Sequence, residues 1–218
     1  SLTRFSLPNF VSTPSLKVVV AITSPIAFHQ LKNQTILATC IKSAQGFVAT
    51  ISGAHLAIAG TAADLAKVSD IDCEKIVCDP NKPGDLASAI KNAAAVDLVM
   101  IHDSQRPLTN QAQFERVYAA LVSGIDAVRP VSAFTETLKS IDASNFIDET
   151  IDRNSMMRVS TPELIRYSAI DFGADASTWF VPLTKIAKTA VVEADPDSAR
   201  INSEKEIELM SYLLDWNK

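Results

Sequence analysis

Glycine is scarce in this chain: there are 6 among 218 residues, and the first is Gly46. From Val18 to Leu31 there is no glycine, lysine or arginine. Backbone N–H groups close around phosphates most readily where glycine frees the backbone. The first apolar run is therefore not followed by a glycine-rich phosphate loop. Cysteine is also sparse, and its number is odd: Cys40, Cys73 and Cys78. Cys73 and Cys78 have no second pair of metal ligands near them. They read as reduced, buried thiols of a cytoplasmic protein rather than as a disulfide or metal pair. Basic runs are missing, and 25 acidic against 20 basic residues give a net charge of −5. That argues against a nucleic-acid-binding or anionic-membrane surface. No stretch approaches the roughly 18 apolar residues of a membrane span. The opening "SLTRFSLPNFVSTPS" has one basic residue and no apolar core, so it reads as a loose leader over 1–15 and not as a signal peptide.

What the chain does have is hydrophobic residues, 47% of the total. That suits one globular domain, 16–218, with a core that needs no cross-links. Apolar runs alternate with helical patterns. "LKVVVAIT" (16–23) reads as a buried strand. "TILATCIKSAQ" (35–45) reads as a helix with Thr35 in its first turn. "GFVATIS" (46–52) looks like a strand, "TAADLAKV" (61–68) a helix and "EKIVCD" (74–79) a strand. "PGDLASAIKNAAA" (83–95) reads as a helix, "VDLVMIHD" (96–103) as a strand and "NQAQFERVYAALVSG" (110–124) as an Asn-capped helix. This alternation predicts a three-layer α/β fold with a mostly parallel, Rossmann-like sheet and right-handed crossovers. Beyond 125 the pattern breaks into β-rich pieces, which suggests an arm protruding at about 132–160. "TPELIRYSAI" (161–170) is expected to be helical and "TAVVEAD" (189–195) a late strand. "SEKEIELMSYLLDW" (203–216) is expected to be a terminal helix with a Ser203/Glu206 capping box.

The stretch "VMIHDSQRPLT" (99–109) is the informative one. A buried strand runs directly into His102, Asp103 and Arg106. Ligands of such sheets bind beyond the carboxyl ends of the strands, and Asp103 falls there. Other readings remain open: Arg106 pairing with Asp103 to hold the loop, or Asp103 as a cap. His102 reads as a structural residue, because no nucleophile stands near it in sequence.

Several fragments, in order, resemble one family. "IHDSQRPLT" is similar to the V-H-D-A-A-R-P stretch of 2-C-methyl-D-erythritol 4-phosphate cytidylyltransferases. "RPVSAFTETLKSI" resembles their A-P-V-x-D-T-hydrophobic-K arm. "ETIDRNSMMRVSTPELI" resembles T-V-D-R-x-x-L-W-x-A-x-T-P-Q-x-F, and "VVEADPDSARINSEKEIELMSYLL" resembles the closing V-E-G-x-x-x-N-I-K-V-T-x-x-E-D-L. "SPIAFHQLKNQTIL" resembles C-P-K-Q-Y-L-x-x-x-x-x-T-hydrophobic-L. The resemblance implies a nucleotidyltransferase (glycosyltransferase-A type) fold. It also implies CMP transfer from CTP to methylerythritol phosphate in non-mevalonate isoprenoid synthesis, a Mg²⁺ cofactor and a homodimer formed through the arm.

Carried over by position, the resemblance makes Asp103 the magnesium ligand. It makes Arg106, Thr137, Arg153 and Thr161 the acceptor-binding residues, with Arg153 reaching a partner subunit. Arg200 stands where the family has its late lysine and is the catalytic candidate. The nucleotide side departs from the pattern. The family loop, roughly A-A-G-x-G-x-R-M-x-x-x-x-P-K-Q, is shortened here to "AITSPIA", and its lysine is Ile26. The cytosine-reading G-G-x-x-R-x-x-S becomes "DPNKPGDL" (79–86), leaving Lys82, Asp85 and, after the strand, Ser104 as nucleotide-binding candidates. The expectation is a family member whose transferase activity is weak or lost. The alternative is a non-catalytic homologue serving as a regulatory or interaction subunit.

Overall fold

The computed structural model describes residues 12–216. Most of the expected leader, residues 1–11, lies outside them. Its last residue, Ser15, is tied down: its N–H and hydroxyl both donate to the Asp97 carboxylate, at 2.8 and 2.9 Å.

β1 (Leu16–Ala21) is buried along its whole length and lies at the centre of the sheet. It pairs in parallel with β4 (Ala54–Gly60) on one side and β6 (Leu98–Asp103) on the other. β5 (Glu74–Val77) extends the sheet beyond β4, again in parallel. On the other side, β11 (Glu163–Arg166) runs antiparallel to both β6 and β7 (Ala127–Ala133). β10 (Met157–Val159) and β12 (Thr189–Glu193) also pair with β7, the first antiparallel and the second parallel. The predicted three-layer, mostly parallel architecture is the one observed.

Alternation along the strands builds the layers. Val18, Val20, Leu98 and Met100 face α1 (Ile36–Val48) and α4 (Gln111–Ala119) on one side of the sheet. Val19, Ala21, Val99 and Ile101 face α3 (Pro83–Asn92) on the other. The Thr35 and Asn110 side chains cap α1 and α4 by accepting from Ala38 N–H and Gln113 N–H. α2 (Ala62–Ala66) follows β4 as expected. α5 (Glu204–Trp216) closes the chain, and its Met210 packs with Leu31, Ile36 and Ile201. In the expected capping box, Glu206 instead accepts from the N–H of Asn202, one residue further back.

Two expectations are corrected. "GFVATIS" is the last turn of α1 and a loop; the strand begins at Ala54. Phe47 is fully buried and stacks near Phe114 at 5.5 Å, so the helix continues through a segment whose β-branched residues suggested extension. "TPELIRYSAI" is β11 plus a short 3-10 turn, entered through a cis Thr161–Pro162 bond. Leu164 and Ile165 are both fully buried, on opposite faces of the sheet. A strand buried on both faces loses the alternation that would have marked it.

Within the span expected to form an arm, 132–160, β8 (Leu138–Ile141) and β9 (Ile147–Ile151) pair as a hairpin outside the main sheet, while its two ends belong to β7 and β10 of that sheet. A small hairpin, β2 (Gln30–Leu31) with β3 (Gln34–Thr35), leads into α1.

Candidate functional site

β1 and β6 run side by side, with Ala21 paired to Asp103, and so deliver Thr23 and Asp103 to the same rim of the sheet. The chain leaving β1 turns at once. Ser24 caps a 3-10 turn, Pro25–Phe28, by accepting from Ile26 N–H. Besides Ile26, four amides here are already used. Ile22 N–H donates to Ala59 O, Thr23 N–H to Ser104 Oγ, Ala27 N–H to Ser24 O and His29 N–H to Ile26 O. Asn81 fastens the turn from the other side, with its Nδ2 donating to Thr23 O at 2.8 Å. Ile26 packs against the α5 cluster and Phe28 against the main core, so neither side chain fills the space beside Asp103.

That space is a cavity of about 320 Å³, lined by Thr23, Asn81, Asp103, Arg106, Thr161, Glu163 and Arg200 among others. Asp103 is 4% exposed. Its Oδ1 accepts from Thr23 Oγ1 and from Gln105 N–H, both at 3.0 Å. Its Oδ2 accepts from Arg200 Nε at 2.7 Å. Arg200 Nη2 also donates to Gln105 Oε1 at 2.6 Å, and Nη1 to Asn202 Oδ1 at 2.6 Å. Arg106 is built in differently: Nη1 donates to Ser198 O at 2.6 Å and Nη2 to Val159 O at 3.2 Å. Its Nε is buried without a hydrogen-bond partner, 3.9 Å from Asp103 Oδ2.

Thr161 lies against β6. Its hydroxyl accepts from Asp103 N–H at 3.1 Å and meets His102 Nδ1 at 2.8 Å. Burial lowers the His102 pKa to about 4, so the ring is neutral. A neutral ring with Nδ1 accepting from Thr161 places its proton on Nε2, which faces Arg106 O at 3.3 Å. His102 is thus the structural residue its isolation suggested.

The other side of the cavity holds a pair that the sequence reading did not single out. Glu163 Oε1 meets Arg129 Nη2 at 2.9 Å, and Oε2 accepts from Phe180 N–H at 2.8 Å. The Arg129 guanidinium lies 3.5 Å from the centre of the Trp179 ring. Burial outweighs the attraction of Arg129 and raises the Glu163 pKa to about 7. The signal was available: Arg129 and Glu163 stand where the family motifs quoted above have alanine and glutamine.

The remaining sequence candidates divide. Asp103, Arg106, Thr161 and Arg200 converge on one cavity. Thr137 and Arg153 do not; both are exposed on the arm, where Arg153 donates to Thr135 O at 2.6 Å. Lys82 and Asp85 line a wide depression of about 670 Å³ that adjoins the cavity through Asn81, Pro83 and Ser177. There Asp85 accepts from Asp79 N–H at 2.6 Å, and Lys82 approaches Asp79 at 3.7 Å. Ser104, the third nucleotide-binding candidate, is fully buried, and its hydroxyl accepts from Thr23 N–H at 3.4 Å. Asp103, the magnesium candidate, already accepts three hydrogen bonds, from an arginine, a hydroxyl and an amide.

A parallel sheet with a charged cavity at the carboxyl ends of β1 and β6 defines an α/β protein of the nucleotidyltransferase-like class. Residues 20–178 match the sequence profile of the family described as IspD: 2-C-methyl-D-erythritol 4-phosphate cytidylyltransferase, and the chain belongs to that family. The bifunctional enzyme IspD/IspF of Rhizobium rhizogenes is 27% identical over 213 residues, covering 93% of this chain and 46% of that protein. A 2-C-methyl-D-erythritol 4-phosphate cytidylyltransferase of Parasynechococcus marenigrum is 34% identical over 90 residues, covering 40% of this chain and 39% of that protein. The chain thus spans less than half the length of these curated relatives. Among solved structures, the 4-diphosphocytidyl-2C-methyl-D-erythritol synthase of Anaerococcus prevotii superimposes with a TM-score of 0.77 at 15% identity, covering 94% of this chain and 100% of that one. The Thermus thermophilus cytidylyltransferase gives 0.68 at 18% identity over 91% of this chain and 98% of that one. These likenesses establish the fold. Among the described residues, no helix is long and apolar enough to cross a membrane.

Proposed function

We propose that this chain binds a phosphorylated polyol of the methylerythritol phosphate kind in the cavity beside Asp103, and that its transfer of CMP from CTP is weak or lost. The observation that carries the reading is the turn after β1: the amides of Ile22, Thr23, Ile26 and Ala27 are spent on Ala59, Ser104 and Ser24, and the Thr23 carbonyl is held by Asn81. A triphosphate needs amide donors and a cation at that point. The acceptor side is better supplied: Arg106 and Arg200 flank the cavity, and guanidinium forks suit phosphate oxygens. Titration calorimetry with 2-C-methyl-D-erythritol 4-phosphate tests this. One site per chain is expected, weakened at least about tenfold in Arg106→Gln, the cost of one charge-assisted contact. No heat of binding to the wild-type protein overturns the reading. A cytoplasmic location belongs to the same reading, supported by buried, unpaired Cys40 and Cys78.

The arm is read as a homodimer contact. Ile141, Phe146 and Ile147 are 60%, 71% and 70% exposed, an apolar edge on the β8–β9 hairpin. Arg153 and Thr137 stand on that arm, away from the cavity of their own chain, so a second copy gives them a site to reach. Light scattering is expected to give a dimer for wild type and a monomer for the Phe146→Glu, Ile147→Glu double variant; a wild-type monomer at high concentration contradicts it. The exposed arm also favours a second reading, a regulatory subunit paired with an active cytidylyltransferase. Co-purification of such an enzyme through the arm would distinguish it from the homodimer.

A further inference from the structure

The cation that the family resemblance calls for at Asp103 has a protein substitute in this chain. We propose that Arg200 is the built-in cation of the site: its guanidinium takes the place beside Asp103 that Mg²⁺ would need, and the cavity binds its anionic ligand without a metal. The anionic ligand rests on the reading above; the exclusion of metal from Asp103 does not.

Three observations carry it. First, the carboxylate is crowded. Arg200 Nε donates to Oδ2 at 2.7 Å, Gln105 N–H donates to Oδ1, and the Thr23 hydroxyl is shared between Oδ1 and Gln105 Oε1. Second, Arg200 is held there by more than one contact. Its Nη2 donates to Gln105 Oε1 at 2.6 Å and its Nη1 to Asn202 Oδ1 at 2.6 Å. The next residue, Ile201, is fully buried and is locked to Gln105 from both directions: Ile201 N–H donates to Gln105 O at 2.8 Å, and Gln105 Nε2 to Ile201 O at 2.6 Å. Gln105 therefore positions both the aspartate loop and the arginine segment. Third, no other acid is free to complete a metal site. Glu163, the other carboxylate lining the cavity, is engaged by Arg129 and Phe180 N–H. Among the described residues no group of three or more His, Cys, Asp or Glu could hold a metal ion. With Glu163 paired to Arg129, Arg106 and Arg200 face the Asp103 carboxylate, which leaves the cavity positive before any metal enters, attracting an anion and repelling a divalent cation. The oxygen with a lone pair to spare, Oδ2, is bonded by Arg200 and lies 3.9 Å from Arg106 Nε, so a Mg²⁺ reaching it would meet two guanidiniums.

The test has two arms. In the first, inorganic phosphate and methylerythritol phosphate are titrated with millimolar Mg²⁺ and again with EDTA. Wild-type affinity is expected to agree within about twofold between the two, and Arg200→Gln to lose at least about tenfold. Arg200→Lys keeps the charge without the fork and is expected to fall between them, which also covers a failure of the Gln variant to fold. In the second arm, Mn²⁺ alone is titrated and followed by its paramagnetic resonance. Wild type and Asp103→Asn are expected to bind it indistinguishably. A wild-type affinity for either anion that rises tenfold with Mg²⁺, or an Asp103→Asn protein that loses a manganese site, overturns the proposal. If neither anion binds wild type, the acceptor reading fails, while the manganese arm still decides whether Asp103 is a metal ligand.

Discussion

Mixed with CTP, methylerythritol phosphate and Mg²⁺, the protein is expected to release pyrophosphate at least about 10³-fold more slowly than an active cytidylyltransferase assayed beside it. Removing one preorganised donor from a site where charge develops costs about 10²–10³ in rate. Here the loss is of a loop and a lysine together, and even strongly non-additive losses keep the larger of the two effects. The turn Ser24–Phe28 is not a flexible remnant that a nucleotide could reorganise cheaply. The two residues before it, Ile22 and Thr23, are bonded to β4 and to Ser104, and its Ala27 is fully buried. Opening it would expose that packing before any phosphate contact formed. Turnover within tenfold of the active enzyme would mean that another segment supplies the cradle.

The Glu163→Gln protein becomes the more stable of the pair as pH rises. Burial raises the Glu163 pKa from 4.5 to about 7 despite Arg129 beside it. A carboxyl with a raised folded-state pKa binds more protons folded than unfolded between those values. Its contribution to stability is complete below about pH 4.5 and is lost as pH climbs through about 7. About 2.5 units correspond to roughly 3 kcal/mol, which for a chain of this size is a melting-temperature shift of roughly 10 °C. His102 titrates in the opposite sense, since burial lowers its pKa, but it is common to both proteins and cancels in their difference. Melting curves from pH 5 to 8 are therefore expected to coincide at the acid end, with wild type falling below Glu163→Gln at the alkaline end. A wild type that gains on the variant as pH rises would show that the Arg129 pair outweighs burial.

The parts of the fold that were legible in the sequence are those with one buried face or a cap. The all-buried Val run of β1, the Asn110 cap of α4 and the apolar stripes of α1 and α3 announced themselves. β11 did not, because a strand buried on both faces shows no period of two, and its Pro162 and Glu163 mimic a helix start. The end of α1 was misread because Phe47 and Val48 favour strands in isolation, yet pack here against Phe114 and the core. At the site, the motif around Asp103 supplied Asp103 and Arg106 of the cavity, and the two later fragments supplied Thr161 and Arg200. The motif could not show how Asp103 is used, since what its carboxylate accepts depends on Thr23 and Arg200, which are distant in sequence, as well as on Gln105 beside it. The Arg129–Glu163 pair escaped for the same reason: each residue departs from the family pattern alone, and only contact across strands β7 and β11 makes them one feature.

The central claim is that the nucleotide half of this site is closed while its acceptor half is kept. Calorimetric titration of the wild-type protein with CTP and Mg²⁺, beside an active family member, tests it most directly. The account predicts no saturable binding at CTP concentrations that saturate the active enzyme. Stoichiometric CTP binding of comparable affinity would contradict it.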